Sequence, residues 1–254
     1  MLHNIKKTNL DEEKIKETKS SQNKELDDFD FSKVIVRKPW GHEYLFYRGN
    51  GLAMWILHIK NGSMTSMHCH IDKTTVLIVL SEKVLCSNLK DSHELVEGDC
   101  LVIEKGTFHS TKAISEKGAI VMEIEDPEKK TDLLRLKDAY GRELKGYEAQ
   151  KEMCFDLSEY ERVFLSDEKI DLNKKIGNMN LCIKEFNEDS SLKNFLNLHK
   201  NSINFVLSGT IKSDLGEYKK GEAFEIKKSE NIEGIKTDSP VKLLNISRNI
   251  MDFD

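Results

Sequence analysis

The texture of the chain from Val34 onward restricts its fold most. The runs "KVIVRKPWGHEYLFY", "LAMWILHI", "TTVLIVL", "EKVLCSNL", "DCLVIEK" and "GAIVMEIE" are short and rich in β-branched or apolar residues. Polar or glycine-bearing turns such as "RGNG", "KNG" and "EG" separate most of them. Strands of this length and spacing predict an antiparallel sandwich or barrel. Each run is strand-sized and too short to cross a bilayer as a helix.

Two other textures flank this one. Residues 1–32 are rich in Lys, Glu, Asp and Asn and read as a charged tail, mobile or helical. After Pro127, "EKKTDLLRLKDAYGRELKGYEAQKEM" places apolar residues at helix-like spacing, predicting a helical connector over 128–170. Beyond it the first half returns in weakened form. "TTVLIVLSEKV" resembles "NSINFVLSGTI", "EGDCLVIEKG" resembles "KGEAFEIKKS", and "AIVMEIE" resembles "VKLLNIS", in the same order and at similar spacing. The expected organisation is mainly β: a barrel over 33–127, the connector, and a degenerate second barrel over 171–254.

Composition narrows the class of partner. A net charge of −5 provides no basic field for nucleic acid, and no segment reads as a membrane span or signal peptide. Five scattered cysteines, none in a CxxC pair, argue against a disulfide framework or a cysteine zinc cluster, so a reducing cytoplasm is the expected location.

The chemistry concentrates in "SMHCHIDKTT". On a strand His68 and His70 project to one face, about 6–7 Å apart, and both can reach a single ion. Gly62 upstream gives Gly-x5-His-x-His, and "GDCLVIEKGTFH" gives Gly-x7-Gly-x2-His ending at His109. Neutral imidazoles suit one divalent transition metal, Fe, Mn or Zn, without choosing among them. In the cupin pattern that this spacing resembles, a carboxylate ligand falls where Thr74 and Thr75 stand, which implies a three-His site with more positive charge and more open positions. In the second half, Phe195 and Asn197 align with the paired histidines and Ile232 with His109.

These two segments resemble the double motif of the cupin superfamily, with Glu104 at its usual turn proline. Pro39-Trp40-Gly41, the run Ile103 to His109, and Arg135 to Arg142 ("RLKDAYGR") further resemble type II mannose-6-phosphate isomerase-like cupins, over residues 34 to 145. The resemblance implies tandem cupin barrels of jelly-roll type, a metal held by His68, His70 and His109, and a homodimer. Against that family's metal strand, His68 falls at its Gln ligand and Thr75 at its Glu ligand. Trp55 and Ile56 replace the basic residues of the preceding strand.

Three functions are compatible with this pattern. The first is an isomerase or epimerase acting on a sugar phosphate or activated sugar, in cell-surface glycan metabolism. Glu123 and Glu125, of like parity on one strand, would move the proton, and Arg135, Trp55 and Thr75 would contact an anionic or sugar-like small-molecule substrate. The second is a three-His non-haem Fe(II) dioxygenase, like the all-histidine cupin subset, acting on a small polar substrate. The third is a non-catalytic module that binds metal or sugar.

Overall fold

The computed structural model describes all residues except 19–28, 144, 159, 161, 163–164, 167–171, 215, 239 and 249–254. Two compact units divide the chain, one over residues 3–166 and one over 167–254 with the first two residues. Each is built mainly of antiparallel strands.

The first unit opens with β1 (Leu2–Ile5) and α1 (Asn9–Glu17). Strands β2 (Ile35–Lys38), β3 (Gly41–Gly49), β4 (Leu52–Ile59), β5 (Met67–Cys69), β6 (Thr74–Ser81) and β7 (Lys83–Ser87) follow. Then come β8 (Ser92–Val96), β9 (Cys100–Ile103), β10 (Ser110–Ala113), β11 (Ala119–Asp126), β12 (Leu134–Lys137), β13 (Met153–Cys154) and β14 (Leu165–Ser166). The large sheet has the order β1-β9-β6-β11-β4-β3-β2-β13, with β14 also on β3. A second sheet is β10-β7-β8, and β12 pairs with β5. This arrangement is consistent with a jelly roll. Trp55, Leu57, Leu77, Val79 and Val121 from the large sheet pack with Val84 and Leu95 from the small one. Strand β4 is apolar almost throughout because both its faces are buried, which is why it shows no alternation.

The second unit comprises β15 (Leu172–Ile176), β16 (Met179–Phe186), α2 (Asp189–Leu198), β17 (Ile203–Ser208) and β18 (Thr210–Ser213). Strands β19 (Gly216–Lys219), β20 (Ala223–Glu225), β21 (Lys236–Thr237) and β22 (Val241–Arg248) complete it. Its sheets, β15-β16-β22-β17-β20 and β19-β18-β21, repeat the strand order β3-β4-β11-β6-β9 and β8-β7-β10. The duplication extends to irregularities. The register between β11 and β6 slips between Ile120/Ser81 and Val121/Val79. Between β22 and β17 it slips at Lys242/Ser208 and Leu243/Val206, the aligned residues. Gly98 and Gly221, also aligned, share a left-handed φ of 84° and 88°.

Three expectations are revised. Residues 1–32, expected as a charged tail that is mobile or helical, hold a helix and also a strand and a buried anchor. Strand β1 joins the sheet, and a capping box starts α1, with Thr8 N donating to Asp11 Oδ2 at 2.8 Å and Asp11 N to Thr8 Oγ1 at 3.4 Å. Asp11 Oδ1 also accepts from Phe108 N at 3.0 Å, which pins α1 beside His109. Residues 19–28 of that segment lie outside the described residues. The helices expected over 128–170 do not occur among the described residues, which carry β12–β14 and a 3-10 turn at Gln150–Glu152. "LRLK" alternates with period two as well as fitting a helix, and pairing with β5 decides the matter. Lastly, Phe195 and Asn197 lie on α2, on no strand at all, while Ile232 is in the core of the second unit.

Gly118 turns the chain into β11 at φ +80°, and a Cβ there would lie 2.4 Å from the carbonyl oxygen of Ile59. Gly118→Ala therefore combines backbone strain with a clash against backbone, an expected loss of about 2–3 kcal/mol. Denaturant unfolding of the variant beside the parent protein checks it.

Candidate metal centre

Strand β5 carries His68, His70 follows directly after its last residue, and His109 enters from the segment before β10. Reciprocal backbone bonds lock them together, His68 N to His109 O at 2.9 Å and His109 N to His68 O at 2.7 Å. The three rings offer nitrogen atoms that all lie within 4.8 Å of one another. All three residues are buried.

Each ring's Nδ1–H is engaged by a backbone carbonyl. His68 donates to Ser66 O at 2.8 Å, His70 to Asp132 O at 2.5 Å and His109 to Thr107 O at 3.0 Å. That fixes the tautomer and leaves each Nε2 with its lone pair free for an ion. The Nε2 atoms of His70 and His109 are buried without a hydrogen-bond partner among the described residues, as are Thr75 Oγ1 and Glu125 Oε2. Two orphaned imidazole nitrogens at this depth, converging with a third, need an explanation, and a divalent cation supplies one. Burial holds the imidazoles of His68 and His70 well below their ordinary pKa and brings His109 to about 4, so all three are neutral ligands at pH 7. The residues present fit a three-nitrogen site for one divalent transition metal.

The pocket beside them is strongly charged. Glu123 Oε1 lies 3.7 Å from His70 Nε2. Burial raises Glu123 to about 7, against the pull of Lys130. Burial also pushes on Glu125, but Lys130 and Lys73 outweigh it and keep that carboxyl below the usual range. Lys73 Nζ is 3.0 Å from Glu125, and Lys130 Nζ is 3.0 Å from Glu43 and 3.4 Å from Glu125. Lys130 also lies 3.5 Å from the centre of the Trp55 ring, a desolvated cation–π contact. Lys38 pairs with Glu148, and Tyr147 donates to Glu43.

The residues singled out from the sequence fare unequally. His68, His70, Glu123 and Glu125 line one pocket, and His109 converges on the other two histidines. Thr75 is buried opposite Glu125, on the interior face. Trp55 lies beneath Lys130 and Arg135 lines the pocket, but Arg135 is bound by the protein itself. Its guanidinium donates to Lys145 O, Gly146 O, Glu148 Oε1 and Ser66 Oγ, which makes it a brace of the pocket wall. Sequence reasoning missed Lys38, Glu43, Lys73, Lys130, Tyr147 and Glu148. For Lys38, Glu43 and Lys73 a signal existed, since each is a charge placed within or directly before an apolar run.

No protein-family profile and no curated protein matches the chain. Solved structures do. A sugar phosphate isomerase of the cupin superfamily from Silicibacter pomeroyi aligns at 15% identity, covering 34% of this chain and 56% of that one, with a TM-score of 0.31. An oxalate oxidase in complex with glycolate aligns at 18%, covering 34% and 46%, with a TM-score of 0.30. KdgF from Halomonas sp. aligns at 14%, covering 38% and 88%, with a TM-score of 0.35. The chain thus spans about half the length of the first two. Among the described residues, no helix is long and apolar enough to cross a membrane.

The buried histidines make the metal-free protein acid-sensitive. His109 titrates near 4 when folded and near 6.5 when unfolded, so the unfolded chain gains protons first as pH falls, and stability is lost across that window. Glu123, raised to about 7, acts in the opposite sense but is one group against three. His109 alone contributes about 2 kcal/mol of loss between pH 7 and pH 5. Chelator-treated protein should unfold at lower denaturant at pH 5 than at pH 7, with a smaller difference in His109→Gln.

Proposed function

We propose that the first unit is a cupin-type, metal-dependent enzyme domain acting on a small polar substrate by isomerisation or epimerisation, and that the second unit is a copy of the same barrel. One observation carries this reading: two buried carboxylates with opposed protonation tendencies stand beside three neutral, convergent imidazoles. Paired groups whose surroundings drive their pKa values apart are the usual arrangement for acid–base chemistry. His68, His70 and His109 would hold a divalent ion whose chemistry is Lewis-acid polarisation of a substrate oxygen.

The chain's own groups divide the work. Glu123, nearest the imidazoles, takes or returns a proton at substrate carbon. Its value near 7 in the metal-free pocket falls when a cation binds beside it, which makes it a base. Glu125, held ionised by Lys73 and Lys130, fixes those ammonium groups as donors to substrate hydroxyls. Lys38, Lys73 and Lys130 are all in ion pairs, so the pocket offers alternating donors and acceptors. That pattern suits a polyhydroxylated, sugar-like substrate. The all-nitrogen donor set favours a second reading, a three-His Fe(II) dioxygenase.

Anaerobic incubation of the metal-loaded protein in D2O with aldose and ketose phosphates and nucleotide sugars separates the two. The expected result is deuterium at the carbon next to the carbonyl, slowed by about 10²-fold or more in Glu123→Gln. Iron-dependent oxygen uptake, with no exchange in any member of the panel, would overturn the isomerase reading and establish the oxygenase.

A further inference from the structure

Asp132 makes two kinds of contact with the metal strand. Its backbone carbonyl accepts Nδ1–H of His70 at 2.5 Å. Its carboxylate accepts from three successive amides of the turn leaving that strand, Ile71 N at 2.9 Å, Asp72 N at 2.8 Å and Lys73 N at 3.1 Å. The residue is 4% exposed, so these bonds form out of water and hold more firmly than surface bonds. Two positions earlier in the same loop, Lys130 reaches Glu43 and Glu125, and Lys73 meets the same Glu125. Nothing in the acid–base reading above requires an aspartate here.

We propose that Asp132 is the positioning residue of the metal centre: it clamps the turn at 71–73 against the loop at 127–133, orienting His70 toward the ion and placing both lysines that pair with Glu125. The inference rests on His68, His70 and His109 being ligands. A carboxylate is needed because three N–H groups converge on it. In Asp132→Asn one acceptor survives for Ile71, while the amide NH2 faces the N–H groups of Asp72 and Lys73. In Asp132→Ala all three amides lose their partner, and the carbonyl that orients His70 loses its anchor.

The test is Co(II) titration of the full chain against a chelating competitor, with visible spectra and thermal unfolding recorded for each protein. Asp132→Ala should weaken Co(II) binding by about 10- to 100-fold and shift the Co(II) absorption bands, with Asp132→Asn intermediate. Should the alanine variant not fold, the asparagine variant carries the same test. Lys129→Ala removes the exposed 2.6 Å ion pair to Asp72 that also joins these two loops, and should leave Co(II) binding unchanged. A lower Tm in both Asp132 variants, with parental Co(II) affinity and spectrum, would overturn the proposal and reduce Asp132 to a loop brace. His70→Ala distinguishes the two failures. If it binds Co(II) like the parent, the metal reading itself falls. If it loses Co(II) while both Asp132 variants bind normally, only the positioning role falls.

Discussion

Three buried imidazoles, each with its Nδ1–H held by a backbone carbonyl, are the constraint on which the rest of the site depends. A buried imidazole with one nitrogen engaged must satisfy the other or leave it orphaned, and two of these Nε2 atoms have no protein partner among the described residues. Protonation is no remedy, since burial disfavours the imidazolium. The local architecture serves this centre. Strand β5 carries His68 and leads into His70, β12 pairs with β5, and the His68–His109 bridge brings in the third ring.

Around that centre the pocket resolves a second electrostatic problem. Carboxylates on β3 and β11 are buried where desolvation alone would neutralise them, and Lys130 and Lys73 from loops, with Lys38 from β2, keep Glu43 and Glu125 ionised. Only Glu123, whose opposition from Lys130 is weaker than its burial, is left near neutrality. The difference between two carboxylates two residues apart on one strand therefore comes from loop lysines, and it gives the site its acid–base character.

Much of this was legible from strand parity. His68 and His70 share a face because they are two apart, and Glu123 and Glu125 share the interior face for the same reason. Weak matches in shared order lead to the expectation of a repeat, and the two units share a strand order and a register slip at the aligned residues. What was not legible lies off the strands. Lys130 and Asp132 fall in a stretch whose apolar spacing predicts a helix, and only tertiary contact reveals a loop that carries them to the site. "LLRLK" fits both periods, so a single sequence could not show that β5 would claim it. Likewise Phe195 and Asn197, aligned with His68 and His70, lie on α2, and the weak sequence match carried no sign of a helix there.

The most direct measurement of the account is the metal content of the full chain purified without chelator or a metal-binding tag, beside His70→Ala and His109→Ala. The account predicts about one equivalent of a single divalent transition metal in the parent and its loss in both variants. Parent protein that carries no metal and takes up none on reconstitution with Fe(II), Mn(II) or Zn(II) would contradict it.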